Sequence, residues 1–312
     1  MTLPNFFIVG AMKSGTTSLY EYLCQHPEIF MSPVKEPFYF VWAGMNDRNK
    51  LYMLNKRHEK VDTQSWQTVR TRKQYEHLFR KVRNETAIGE ASTWYLPDPY
   101  VPEQIYHEAP DAKIIAVLRD PVARAYSAYT YQVSYGLEPS STFRGALEDE
   151  ISGRRDDWLY GWRYLYCGMY ADQIERYLDV FGANNVLLLR FEELKDHPHV
   201  ILKKIFRFLD VNDDHDIEEI APRNPTINPN KGWAKNVISA LINQNVLKDG
   251  LKRFIPITAR RRIKNRIVEI AKQGGTKPLA ISEADTDFLR QEFRGQISKL
   301  EAITGWDLDE WT

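Results

Sequence analysis

Three short apolar runs restrict the fold of this chain more than any other feature: NFFIVG at 5–10, AKIIAVLR at 112–119 and NVLLLRF at 185–191. Each is rich in Ile, Val, Leu or Phe, and none alternates apolar with polar residues as a half-exposed strand does. Strands of that kind must be covered on both faces. Helical patterns at about 15–26, 102–109, 121–135, 168–182 and 198–210 supply the cover. Strands alternating with helices predict an α/β fold, a parallel sheet between two helical layers.

With 312 residues, 43% hydrophobic and 27% charged, the composition is that of a globular protein rather than a disordered one. Lys plus Arg equals Asp plus Glu at 42 each, so no global field favours nucleic acid, and a basic site has to be local. The two cysteines, Cys24 and Cys167, are too few for a disulfide framework and suit a reducing, cytoplasmic setting. The N-terminus runs straight into an apolar strand without a signal-peptide pattern, and no run of about 18 apolar residues is present. A peripheral contact with an anionic acceptor or lipid surface is open to residues 248–277, where ten Lys and Arg face only Asp249 and Glu269.

The chain reads as one domain over 1–312. Its core occupies 5–236, with insertions at about 43–86, holding a short helix near 71–82, and at 136–166, which ends in a Trp- and Tyr-rich stretch. Insertions at the carboxyl ends of strands commonly shape a binding site. Past the proline-rich 221–232 the pattern turns helical, at 233–246, 258–273 and 282–303.

The first strand leads into GAMKSGTTS, a loop bracketed by Gly10 and Gly15 that opens a helix. Backbone N–H groups and the positive end of a helix dipole would converge there on an anion, with hydroxyls from Thr16, Thr17 and Ser18 beside them. The nucleotide-triphosphate form of such a loop is G-x-x-x-x-G-K-[ST], yet Thr16 stands where its lysine belongs and Lys13 lies inside the loop. The second strand ends in Arg119 before Asp120, not in a carboxylate for magnesium, which disfavours metal-dependent phosphoryl transfer. Spacing alone fits a glycine turn with a threonine cap equally well.

A second signal, RDPVARAYS at 119–127, changes the balance. Together with the loop it resembles the sulfotransferases that use 3′-phosphoadenosine-5′-phosphosulfate, and is closest in pattern to their bacterial and glycan-type, heparan-sulfate-like members. The resemblance runs through three ordered blocks across most of 5–236. It implies a P-loop-containing nucleotide-hydrolase-like three-layer fold with a helical C-terminal extension. It also implies a transferase that needs no metal, binds that donor and releases adenosine 3′,5′-bisphosphate.

In the family, the block matched by Lys13, Ser14, Gly15, Thr16 and Thr17, with Ser18 following, binds the 5′-phosphosulfate. An Arg at a strand end and a Ser eight residues later hold the 3′-phosphate, and Arg119 and Ser127 match them. NPNKGWAKN looks like a short form of the loop that closes over the donor, which would make Lys231 and Gly232 contacts. The resemblance gives Lys13 the charge appearing on the leaving 5′-phosphate. It gives Glu36, in SPVKEPFYF, the role of base toward an acceptor hydroxyl, where partial shielding by Phe38, Tyr39 and Phe40 would raise its proton affinity. Read without the family, Lys35-Glu36-Pro37 is a solvated turn.

One departure stands out. Members acting on heparan-type chains commonly carry Glu-Lys-Ser where this chain has Glu90-Ala91-Ser92, so a heparan-like acceptor does not follow from the resemblance. Glu90 and Ser92 could line an acceptor pocket, or nearby polar residues could cap the helix near Pro102. A small-molecule or nucleotide kinase and a nucleotide-binding scaffold without catalysis are the competing readings.

Overall fold

The computed structural model describes residues 3–43, 53–54, 60–61, 69–218 and 280–312. Its strands are β1 (Phe6–Gly10), β2 (Ile29–Met31), β3 (Met53–Leu54), β4 (Lys60–Val61), β5 (Ala87–Ala91), β6 (Lys113–Leu118) and β7 (Val186–Arg190). Five of them form one parallel sheet in the order β2-β5-β1-β6-β7, while β3 and β4 pair antiparallel by themselves. The three apolar runs of the sequence are β1, β6 and β7, which makes them adjacent. β1 lies at the centre, so the loop that leaves it emerges in the middle of the sheet's carboxyl edge, where open parallel sheets bind ligands.

The helices are α1 (Thr16–Leu23), α2 (Tyr39–Ala43), α3 (Arg72–His77), α4 (Val101–Glu108), α5 (Pro121–Ser134), α6 (Phe143–Ile151), α7 (Tyr170–Phe181), α8 (Phe191–Asp196), α9 (Pro198–Phe208) and α10 (Glu283–Thr304). Successive strand residues point to opposite faces, and both faces are buried. Phe7, Val9, Ile114, Ala116 and Leu118 join a core with α4, α5, α7 and α10. Phe6, Ile8, Ile115, Val117 and Leu189 join a second core with α1 and α9. Two cores on one sheet make the three-layer, P-loop-like architecture that the sequence predicts.

Several local expectations change. β2 and β5 were not foreseen, because IFM is short and AIGEA holds a glycine and a glutamate. Phe191 belongs to α8 rather than to the preceding strand. α3 is shorter than the pattern at 71–82, although its start carries a reciprocal cap, Thr71 Oγ1 taking the Gln74 amide and Gln74 taking the Thr71 amide. In the 136–166 segment, Trp158, Tyr160, Trp162 and Tyr164 are buried in the core. There the fully buried Arg155 pairs Glu138 at 2.7 Å. The helices expected at 233–246 and 258–273, and the basic stretch 248–277, lie outside the described residues. The helix expected at 282–303 is α10.

Candidate active site

The loop after β1 is held from below. The Ala11 amide donates to the Val117 carbonyl at 2.7 Å, tying the loop to β6, and the Ser14 amide closes a turn on the Ala11 carbonyl at 3.2 Å. Lys13 adopts a left-handed backbone, φ 71°, and so does Gly15, φ 80°. Gly15 has a second reason to be glycine, since a Cβ there would stand 3.0 Å from the Phe191 ring. Only its hydrogen leaves room for the turn.

α1 begins directly after Gly15 with no side-chain cap and no acidic residue in its first turn. The opening amides of a helix have no intrahelical acceptor, so those of Thr16, Thr17 and Ser18 are donors facing the loop. Ser14 Oγ is buried beside the Tyr170 hydroxyl. Lys13 Nζ sits 4.3 Å from the centre of the Tyr131 ring on α5. The cradle therefore presents backbone donors, hydroxyls and a lysine ammonium at an uncapped helix start, which is a fit for a phosphate or sulfate ester.

Arg119 leaves the end of β6 toward the same place. Its Nη1 donates to the Lys13 carbonyl at 3.1 Å, and its guanidinium lies 4.8 Å from the centre of the Phe191 ring. Burial lowers its proton affinity, against the fields of Tyr170, Glu192 and Asp120, which raise it. Arginine remains charged under such a shift, so a half-buried cation stands beside the loop. Asp120, the neighbour that could have neutralised it, instead caps α5, its carboxylate accepting the Val122 amide at 2.8 Å. Ser127 follows on α5, half-buried, one helical turn before Tyr131. The first two sequence blocks thus meet on one edge of the sheet. Lys231 and Gly232, the third, lie outside the described residues.

Glu36 does not sit in a solvated turn. Its side chain is 22% exposed and pairs with Lys35, 15% exposed, at 2.6 Å. The Thr93 amide donates to Glu36 Oε2 at 2.8 Å, and the Thr93 hydroxyl lies 3.2 and 3.3 Å from the two carboxylate oxygens. Thr93 and Trp94 share a small recess with Ala11 and Met12, which joins the Glu36 turn to the loop carrying Lys13. Phe38 stacks on Trp94, with ring centres 4.4 Å apart, on the same side.

Glu90 lies inside β5, fully buried, and a nearby polar residue, Asp98, takes the amides of Tyr100 and Val101 ahead of Pro102. Sequence reasoning also passed over Thr93, Tyr131 and Phe191. Thr93 had a usable signal, being the next residue after the Glu90-Ala91-Ser92 motif, whereas the other two act through ring placement that only the fold creates.

The family model described as a sulfotransferase domain matches residues 3–238. Among curated proteins, the chain is 29% identical over 236 residues to the mouse bifunctional heparan sulfate N-deacetylase/N-sulfotransferase 4, covering 74% of this chain and 24% of that protein. It is 26% identical to human carbohydrate sulfotransferase 15, covering 81% and 52%. The chain therefore spans about a quarter to a half of these two relatives' lengths. A sulfotransferase from Alicyclobacillus acidocaldarius has a crystal structure that superposes with a TM-score of 0.73 at 29% identity, covering 100% of this chain and 99% of that one. Mouse SULT7A1, complexed with PAP, shares the fold at a TM-score of 0.50 and 17% identity, covering 94% and 84%.

Proposed function

Since the chain belongs to the sulfotransferase domain family, we propose that it moves a sulfuryl group from 3′-phosphoadenosine-5′-phosphosulfate to a hydroxyl of a carbohydrate, lipid or other small acceptor. The observation that carries this reading is the contact between Arg119 and the Lys13 carbonyl, which places two cations from different strands at one end of the sheet. One nucleotide with phosphates at both ends of its ribose gives each a task.

When bound, the donor supplies the activated sulfuryl group and a phosphate that can leave. The amides at the start of α1, with the hydroxyls of Thr16, Thr17 and Ser18, orient the oxygens at the 5′ end. The Lys13 ammonium meets negative charge as it gathers on that phosphate, an electrostatic task that a metal performs in phosphoryl transfer. Arg119 holds the 3′-phosphate through its fork of N–H donors, with Ser127 beside it. Lys231 and Gly232 close over the nucleotide in this reading. Glu36 accepts the proton of the acceptor hydroxyl at a carboxylate oxygen, which Thr93 and Lys35 hold in place.

The names of the relatives favour a carbohydrate acceptor, and one of them includes an N-sulfotransferase, so amines belong in the test. The experiment is a screen with the sulfur-labelled donor against pools of glycans, lipids, small alcohols and amino sugars, without added metal. Label on hydroxyl acceptors is expected. Label confined to amines would replace the hydroxyl reading. Phosphoryl transfer from ATP with magnesium, or tight binding of adenosine 3′,5′-bisphosphate with no turnover in any pool, would overturn the assignment.

A further inference from the structure

The segment Ala91–Thr93 grips the turn that bears Glu36 at three points. The Glu36 amide donates to the Ala91 carbonyl at 2.8 Å, the Phe38 amide to Ser92 Oγ at 3.1 Å, and the Thr93 amide to the Glu36 carboxylate at 2.8 Å. The gripped residues are in left-handed backbone, φ 58° at Glu36 and 53° at Phe38. Such conformations persist in non-glycine residues only where the surroundings over-determine them.

Beneath this segment lies the Glu90 carboxyl. Tyr75 of α3 donates to its Oε2 at 2.5 Å, and the hydroxyls of Tyr95 and Ser92 also lie against the carboxyl. The titratable groups facing it are Tyr75, on which Tyr39 of α2 stacks, Tyr95, whose Oη takes the Phe40 amide, Tyr177 of α7, and Glu36 with its partner Lys35. A carboxyl buried in a sheet interior costs stability even when hydrogen-bonded, so packing does not account for it.

Building on the reading of Glu36 as base, we infer that Glu90 is a positioning residue: anchored by Tyr75, it holds the Ala91–Thr93 segment and so fixes where Glu36 points. Burial pushes Glu90 up to about 7, the hydroxyls of Tyr75, Tyr95 and Ser92 oppose the rise, and the charge of Glu36 adds to it. Below that value Glu90 is neutral and the grip is undisturbed. Above it, a second negative charge appears close to Glu36 in a poorly screened interior, and the strained 36–38 turn is the part that gives way.

The test is carboxyl-carbon NMR of the full chain labelled at glutamate. The Glu36 resonance should show an inflection at the Glu90 midpoint, near 7, and lose it in Glu90→Gln, which keeps the shape and stays neutral. Glu36→Gln should lower the Glu90 midpoint. A Glu36 resonance flat through that midpoint, or an inflection that survives Glu90→Gln, overturns the inference. Should Glu90→Gln fail to fold, Tyr75→Phe removes the donor to Glu90, and the Glu36 inflection must then move to higher pH with the Glu90 midpoint; an inflection that stays put overturns the inference. With an acceptor from the screen, the wild-type kcat should fall several-fold above about pH 7 while donor KM holds, and the Glu90→Gln profile should be level there. Near-normal turnover in Glu36→Gln would remove the base reading, whereas the NMR coupling would still report whether Glu90 sets the geometry of Glu36.

Discussion

Arg119 donates a hydrogen bond of 3.1 Å to the carbonyl of Lys13, a residue on a different strand's loop and 106 positions earlier in the chain. The end of β6 therefore supports the crown of the loop that follows β1, and a change at either residue is felt at both.

Adenosine 3′,5′-bisphosphate should raise the melting temperature without added metal. At a hundred times Kd the gain is about 2.7 kcal/mol. Arg119→Ala should abolish most of it, and Arg119→Lys should restore only part, since an ammonium lacks the planar fork. Equal shifts from adenosine 5′-monophosphate and the bisphosphate would remove the 3′-phosphate from Arg119.

Lys13→Ala should lower kcat by roughly 10²–10³ while product affinity changes little, because the charge that it meets develops during departure of the 5′-phosphate. Single-turnover rates alongside calorimetric titration with the bisphosphate separate the two effects. A variant that loses affinity at an unchanged maximal rate would make Lys13 a binding residue only.

Glu36→Gln preserves size and most contacts to Thr93 but cannot take a proton, so turnover should drop by about 10²–10⁴. Thr93→Val removes the hydroxyl and leaves the amide at 2.8 Å, so its loss should be smaller. Rates measured side by side at saturating donor check the ranking. Equal activity of Glu36→Gln and wild type would return the base to another group.

Glu90 ties fold stability to pH. Its proton is held more tightly in the folded chain, about 7, than in the unfolded one, about 4.3. Between these values the folded state binds more protons, so stability is greatest below the unfolded value and declines as pH rises through the folded one, by roughly 3–4 kcal/mol over the whole interval. Urea denaturation at pH 5 and pH 8 should show wild type losing more than Glu90→Gln. An equal loss in both would place the Glu90 titration elsewhere.

The inner strands β1 and β6 were legible because they are covered on both faces and their sequences say so, and the edge strand β7 was legible from its apolar run. β5 was not, since its Gly89 is required by the Phe6 ring, whose atoms would lie 2.1 Å from a Cβ, and its Glu90 is polar in a fully buried position. The glycine-bracketed loop could be read from its spacing, whereas Arg119 and Ser127 stood out as site residues only through the family resemblance. What holds Glu36 could not be read, because the grip comes from Thr93, 57 residues away, across two strands whose pairing the sequence does not announce. Local pattern identifies elements, and contacts between their ends require the fold.

The left-handed backbone at Lys13 and Glu36 bears on any effort to make this protein more robust. A side chain in that conformation costs about 1–2 kcal/mol, and glycine removes the cost while giving back about 0.5–1 kcal/mol as unfolded-chain entropy. A library sorted by heat resistance alone would thus drift toward glycine at the two positions assigned the chemistry. Thermal selection on this scaffold has to be paired with a sulfation readout, or it will collect durable proteins that have given up their reaction.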